Sequence, residues 1–375
     1  MNPRKSLSQT GGRPHRHRSG DCLLQATTPR TSSRAGPRRI LALGGVFAAI
    51  LSVQGFAVSA LGGEAEGSEA LWTFAWTSDI HLDESRREFV AKAFRHIDEN
   101  VRPRFLLITG DNNAIPCADR GGAAPEPLGV RRQRYFKDFL QRHLKTPSVV
   151  IPGDNWPDGF DQVFGAKQYS FDFGGLHFLL LAPDRTFHGQ GAEGLSVFDE
   201  ATWTWIRGDL ERGRRLPTLV VIHEPFVPCT FLDAPRLRQL VDRCPQVIGA
   251  LQGHLHVDLE FRSGQRAWWV APSLGKGKPP AFKVVEVHAD ALVLRTVEYD
   301  PAAERFAMTP RRQTLAIGLP HLDPPFRPAA PRFAMDNYRC MPPKPHVHDP
   351  ALARRSFELW RAIGRTLTED FLPGR

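Results

Sequence analysis

The chain has 375 residues, 41% hydrophobic and 24% charged, the balance of a globular protein rather than a fibrous or disordered one. Its formal net charge of +9 suggests a polyanion partner, but nine Lys/Arg and the single acid Asp21 precede Ile40, so the leader holds +8 and the rest only +9 − 8 = +1. A nearly neutral body excludes a specific nucleic-acid role and assigns the basic excess to targeting.

Residues 1–39 are polar, basic and rich in Ser, Pro and Gly, without periodicity, and read as disordered. Residues 40–61 are apolar and uncharged, follow Arg38-Arg39 and end near Val58-Ser59-Ala60. That is the layout of an export signal, with the arginine pair of the twin-Arg type. The stretch is also long enough for an uncleaved membrane anchor. Residues 1–62 are therefore read as leader plus signal or anchor. The protein is expected to be exported, periplasmic or extracellular, with membrane anchoring through residues 40–61 as the alternative. Beyond Cys22 in the leader remain Cys117, Cys229, Cys244 and Cys340, an even number suited to an oxidising space. Cys229 and Cys244 flank a short helical stretch and are a candidate bridge, leaving Cys117 with Cys340; four free thiols are the alternative.

From Leu71 the pattern is regular. Apolar runs at 71–77, 105–109 and 149–151 alternate with helical spacing at 84–100 (Phe89, Val90, Ala93, Ile97) and 130–144 (Tyr135, Phe136, Phe139, Leu140, Leu144). This alternation builds a parallel sheet. Runs at 169–173 and 176–181 meet at Gly174-Gly175, a hairpin signal. A helix is predicted over 198–212, an apolar run over 218–222, a short helix around 237–241 and a further run over 247–251. Residues 257–270 and 282–297 alternate as antiparallel strands, with turns near Ser263-Gly264 and Ala289-Asp290. Past Tyr299 regularity is lost: 310–344 is rich in Pro and Arg and reads as a surface tail, followed by a helix over 351–371. The expected domain is 68–300, and 301–375 a Pro/Arg-rich tail with a C-terminal helix.

Metal-binding side chains stand just past successive apolar runs: Asp79 and His81, Asp111, Asp154 or Asn155, His223, then His254 and His256. In an open α/β sheet, strand ends of this kind gather along one ligand-binding edge. Carboxylates with imidazoles suit Zn, Mn or Fe. In Gly253-His254-Leu255-His256, an extended backbone would turn both imidazoles to one side.

In order, Asp79-Ile80-His81, Gly110-Asp111, Gly153-Asp154-Asn155, His223 and Gly253-His254-Leu255-His256 resemble the motif series of the calcineurin-like metallophosphoesterase superfamily. The likeness runs from about Leu71 to Val297. It implies an α/β fold of the αββα type, a mixed β-sandwich flanked by helices. It also implies two divalent metal ions (Fe, Mn or Zn) that activate water for hydrolysis of a phosphate ester. One ion would be held by Asp79, His81 and His256, the other by His223, His254 and the third-motif residue, with Asp111 between them. The departure lies in that third motif, where the family has Asn then His. Read without a gap, Asp154 is the ligand and Asn155 replaces the His; shifted by one, Asn155 is the ligand and the His is missing. Either way the usual proton donor is absent, which tilts the expectation toward diesters or activated monoesters. Asn155 remains a hydrogen-bond donor for the site, and His188, in a loop after a strand end, is the candidate replacement acid. Asn112 and Asn113 are candidates for orienting the ligands or substrate, and Glu224 for supporting an imidazole. The expected partner is a small-molecule, lipid or nucleotide phosphate ester; a catalytically impaired metal- or phosphate-binding protein is the alternative.

Overall fold

The structure, a computed structural model, describes residues 69–114, 127–155, 157–185, 196–319 and 333–342. Chain contacts divide the protein into Met1–Glu64 and Ala65–Arg375, and every described residue belongs to the second unit. The expected leader, the apolar stretch 40–61, the helix over 351–371, His188 and Cys117 lie outside the described residues.

Three parallel strands, β1 (Trp72–Thr77), β2 (Leu106–Thr109) and β3 (Ser148–Ile151), form one end of a sheet. On the other side of β1 it continues antiparallel through β12 (Ala281–Val287), β13 (Ala291–Asp300) and β14 (Arg305–Ala316). A second sheet begins with the hairpin β4 (Tyr169–Phe173) and β5 (Leu176–Leu181). It adds β8 (Thr218–Ile222), β9 (Val247–Gln252) and β11 (Arg266–Val270) in parallel, then β10 (Leu259–Ser263) at one edge and β15 (Asp336–Cys340) at the other. A two-stranded ribbon, β6 (Asp184–Arg185) with β7 (Ser196–Val197), completes the strands among the described residues.

Alternating side chains explain the layering. Trp72, Phe74 and Trp76 of β1 face Phe178 and Leu180 of β5 and Leu219 and Val221 of β8 in the core between the sheets. The intervening residues face outward. Ala75, Leu106, Ile108 and Val150 meet Val90 and Phe94 of α1 (Arg87–His96) and Phe136 and Phe139 of α2 (Leu128–His143). A short α3 (Phe160–Phe164) adds Phe160 to that layer. On the other sheet Leu179, Leu181, Val220 and Ile222 meet Trp203 and Ile206 of α4 (Glu200–Arg212) and Leu237 and Val241 of α5 (Ala234–Asp242). With both faces covered, β5 and β8 are buried throughout and read as unbroken apolar runs. The result is two mixed sheets flanked by helices, the expected αββα sandwich. Each fully buried large side chain contributes about 1.5–3 kcal/mol.

Local signals set the turns and helix ends. Gly174 and Gly175 turn the β4–β5 hairpin with φ of 55° and 87°, where a side chain is strained. The Asp199 carboxylate caps α4 by accepting from the Thr202 backbone N–H at 2.7 Å, worth about 1 kcal/mol.

Two expectations change. Strands occupy part of the segment read as tail: β14 and β15 lie on sheet edges, where Pro310 and solvent-facing Arg side chains are tolerated. Cys229, Cys244 and Cys340 are free thiols, so the expected Cys229–Cys244 bridge is not formed. These two cysteines stand before and after α5, whose nine residues rise roughly 13 Å, beyond the roughly 7 Å Cα reach of a disulfide.

Candidate metal centre

The parallel strands of both sheets end on the same side, and the metal-binding residues follow those ends. Asp79 and His81 follow β1, Asp111 follows β2, Asp154 follows β3, His223 directly follows β8, and His254 and His256 follow β9. The loops interlock through the backbone: Asp79 N–H donates to Gly110 O at 3.0 Å, and His81 N–H to Asp111 O at 2.8 Å. Close approach requires glycine at two points. A Cβ on Gly153 would stand 2.1 Å from Asp111 Oδ1, and one on Gly253 2.0 Å from Ser78 Oγ.

Asp79, His81, Asp111, His254 and His256 all adopt left-handed backbone conformations, with φ between 43° and 71°. Such a conformation costs a non-glycine residue on the order of 1–2 kcal/mol, and its concentration here marks a functional site. It also corrects one expectation. His254 and His256 do not share one side of an extended strand; their turned backbone sends each to a different group.

The first group is Asp79, His81, Asp111 and His256, and the second is Asp154, His223 and His254; within each, one ligand atom per residue lies within 4.8 Å of the others. In the first, His256 Nε2 is 3.0 Å from Asp79 Oδ1 and 3.2 Å from His81 Nε2. In the second, Asp154 Oδ1 is 2.8 Å from His223 Nε2 and 3.1 Å from His254 Nδ1. Asp111 reaches both: its Oδ2 is 3.5 Å from His81 Nε2, and its Oδ1 is 3.4 Å from His223 Nε2. Asp79, His81, Asp111 and His223 are buried, whereas the His254 and His256 side chains are 30% and 31% exposed, so the centre opens to solvent on their side.

These residues fit cations. Asp79 Oδ1 is fully buried and makes no aligned hydrogen bond, although His256 Nε2 is close. A buried acceptor without a donor is costly, and ring nitrogens and carboxylate oxygens converging on one point are what a cation relieves. Burial, and then the positive charge of Lys276, press the His81 imidazole down to about 3, so its ring is neutral with a lone pair to offer at neutral pH. Burial pushes the Asp79 carboxyl up, but the facing His223 and His256 outweigh it and hold it well below the usual carboxylate range. Burial presses His223 down, yet the charges of Asp111 and Asp79 raise it. Oxygen and imidazole donors of this kind suit Zn, Mn or Fe.

No protein-family model matches the chain, and no curated protein matches it. Among solved structures, the chain is similar to the GAP50 anchor of the Plasmodium inner membrane complex, at 14% identity over 66% of this chain and 90% of that one, with a TM-score of 0.48. It is also similar to a predicted phosphoesterase from Streptococcus pneumoniae, at 10% identity over 67% and 100%, with a TM-score of 0.36. Vacuolar protein sorting 29 from Cryptosporidium parvum aligns at 11% identity over 66% and 100%, with a TM-score of 0.36. With every one of these scores below one half, the functional reading rests on this chain's own residues.

The remaining candidates take other places. Asn155 stands beside the second group, with its side-chain Nδ2 3.4 Å from Asp154 Oδ1. Its backbone N–H and side-chain Nδ2 donate to Asp111 Oδ1 and Oδ2 at 2.9 and 2.6 Å, so it holds the shared carboxylate. Asn112 donates to Ile151 O at 3.1 Å and ties the loops after β2 and β3. Asn113 is buried beside Leu82. Glu224 accepts from Ser196 Oγ of the β6–β7 ribbon, and its charge favours the protonated forms of His223 and His254. Supports with no sequence signal are main-chain ones: Thr109 O accepts from His223 Nδ1 at 2.7 Å. One side-chain support, Ser273, donates from Oγ to Asp79 O at 2.8 Å from a loop after β11 that no motif marks.

Proposed function

We propose that this chain is an exported, metal-dependent phosphoesterase that hydrolyses phosphate mono- or diesters of small molecules, lipids or nucleotides. One observation carries the reading: Asp111 reaches two ligand groups with separate oxygens, the arrangement that holds a pair of cations side by side. Asp79, His81 and His256 would hold one ion and Asp154, His223 and His254 the other, with Asp111 serving both. A divalent Fe, Mn or Zn pair supplies Lewis-acid charge and an acidified water for attack on phosphorus.

The chain's own groups do the rest. Asn155 orients Asp111, and its amide donates hydrogen bonds but has no proton to transfer. The substrates favoured are therefore diesters and monoesters with good leaving groups. His188 remains the proposed proton source for poorer ones. Export follows from the layout of residues 1–62. Among the described residues no helix is long and apolar enough to cross a membrane; the apolar stretch 40–61 is the proposed anchor should the leader be retained.

The absence of a proton-transferring residue at Asn155 favours one second reading, a metal- and phosphate-binding protein without turnover. Elemental analysis of the purified protein, with assays on aryl phosphate mono- and diesters in Mn²⁺, separates the two. Two equivalents of metal with release of phenol support the hydrolase. Metal with phosphate binding but no release supports the second reading, and protein that takes up no metal removes both.

A further inference from the structure

On one side of the sandwich an edge strand of each sheet comes to the surface: β3 ends the first sheet and β15 the second. Tyr169 of β4, the strand paired with β15, bridges the two sheets there by donating from its hydroxyl to Val150 O at 2.9 Å. At this bridge lies a mostly apolar groove of about 610 Å³. It is lined by Val150 of β3, Leu140 and Leu144 at the end of α2, Phe164 of α3, and Met335 and Tyr338 at β15. Tyr338 is 47% exposed, one of three large hydrophobic side chains left in solvent among the described residues. A continuous apolar surface along sheet edges marks a place where another element docks.

The path of the chain points to the occupant. β15 runs antiparallel to β4 and reaches Tyr169 at Cys340, and Met341 N–H then donates to Gln168 O at 2.9 Å. Ala166, two residues before Gln168, lines the groove. The last described residue, Pro342, therefore lies beside the groove, with residues 343–375 still to follow. Residues 343–350 reach about 26 Å when extended, enough to turn the chain back along the groove. Next come Phe357, Trp360, Ile363 and Leu367, whose spacing of three and four predicts one apolar helical face. From Phe357 to Leu367 a helix rises about 15 Å. The groove's flank from Thr146 to Val150 is of similar length, about 13 Å in a strand. α2 offers a matching face, since Lys137, Leu140, Gln141 and Leu144 all line the groove at helical spacing. A lone helix of this size is marginal in water and gains its stability from the surface that its apolar face covers.

We propose that residues 351–371 form an amphipathic helix that packs the face of Phe357, Trp360, Ile363 and Leu367 into this groove, an intramolecular clasp over the edges of both sheets. The clasp uses no residue of the metal centre, so it stands or falls apart from the phosphoesterase reading.

The test uses the full chain carrying Ser148→Cys, a small change at an exposed position of the groove, alone or combined with Trp360→Glu or Glu358→Gln. Maleimide labelling of the new thiol is followed by peptide mass spectrometry, which separates it from the native cysteines. The thiol is expected to react at least about tenfold more slowly in the parent chain than with Trp360→Glu, because labelling must wait for the helix to lift. Glu358→Gln, on the opposite face of the helix, leaves labelling slow. Hydrogen exchange gives a second reading. Amides in 351–371 are expected to be protected in the wild type, and Leu144→Asp should speed their exchange about tenfold while β5 and β8 stay slow. A thiol that reacts equally fast in all three chains, or fast exchange of 351–371 in the wild type, overturns the inference. So does slow labelling that speeds up on dilution, which assigns the groove to a second copy. Protection that appears only with phosphatidylglycerol vesicles assigns the helix to a membrane surface and overturns it as well.

Discussion

His223 donates its Nδ1 proton to the main-chain carbonyl of Thr109 at 2.7 Å, and this leaves Nε2 as a lone pair aimed at Asp154 Oδ1, 2.8 Å away. Two acceptors facing each other make a stable contact only with a cation or an extra proton between them. Asp154 is therefore expected to bind metal. Asp154→Ala should lower the metal content of purified protein from two equivalents to one. Asp154→Asn, which keeps the shape and loses the charge, should weaken the second ion about tenfold or more. An Asp154→Ala protein that still holds two equivalents would place the ligand elsewhere.

Asn155 holds Asp111 through its backbone and its amide, but it cannot protonate a leaving group. Asn155→His introduces a transferable proton at that point. Turnover of alkyl esters is expected to rise by at least about tenfold, within the range general acids contribute, and that of nitrophenyl esters to rise less. A plot of rate against leaving-group acidity checks this, and its slope should flatten in the variant.

Gly153 has no room for a methyl group, because its Cβ would stand 2.1 Å from Asp111 Oδ1 and 2.3 Å from the Asp111 backbone nitrogen. Gly153→Ala should cost about 1–3 kcal/mol, as overpacking does. It should also weaken both ions together, since Asp111 serves both groups. Thermal unfolding with and without Mn²⁺, together with metal content, measures the two effects.

Far from the centre, His177 sits between Asp172 at 2.6 Å and Asp209 at 2.9 Å. Burial presses its imidazole down, but the two carboxylates win and raise it from 6.5 to about 9. The proton is bound more tightly in the folded state, so its stabilisation is complete below pH 6.5 and is lost as the pH climbs through about 9. The amount is on the order of 3 kcal/mol. Stability measured from pH 6 to 10 should therefore fall, and His177→Asn should remove most of that slope.

Lys283 is fully buried in β12, with its ammonium 2.6 Å from Asp258 Oδ1, 2.8 Å from Gln313 Oε1 and 3.2 Å from Thr296 Oγ1. Asp258 lies two residues past His256, so the pair anchors the loop that carries two imidazoles. Lys283→Met should cost about 3 kcal/mol by leaving a half-buried carboxylate, partly relieved by Arg311 at 3.6 Å. Adding Asp258→Leu should recover much of the loss in denaturant unfolding.

The site was legible because chemistry stood at punctuation points. Asp79, Asp111, His223 and His254 each follow an apolar run that a buried parallel strand requires, and their order alone suggests one edge. The left-handed backbone at five of these residues left no trace in composition, since Asp and His are not turn-specific as Gly is. The edge strands were hidden for a different reason. β14 buries Phe306, Gln313 and Leu315 but turns Arg305, Arg311 and Arg312 to solvent, and half of a solvent-facing edge looks like a tail. The loop after β11 is fastened to Ser78 and Asp79 by the Leu274 and Gly275 N–H groups and by Ser273 Oγ, and neither the serine nor the glycine stands in a motif.

The three carboxylates follow β1, β2 and β3 of one sheet, whereas His223, His254 and His256 follow β8 and β9 of the other. A metal pair held as proposed would rivet the layers of the sandwich together at one end. Sheets joined by hydrophobic contact and by a few hydrogen bonds such as His223 Nδ1 to Thr109 O would then separate only after the ions leave. With those ions bound, the resistance of the protein to proteolysis would follow the metal supply around it.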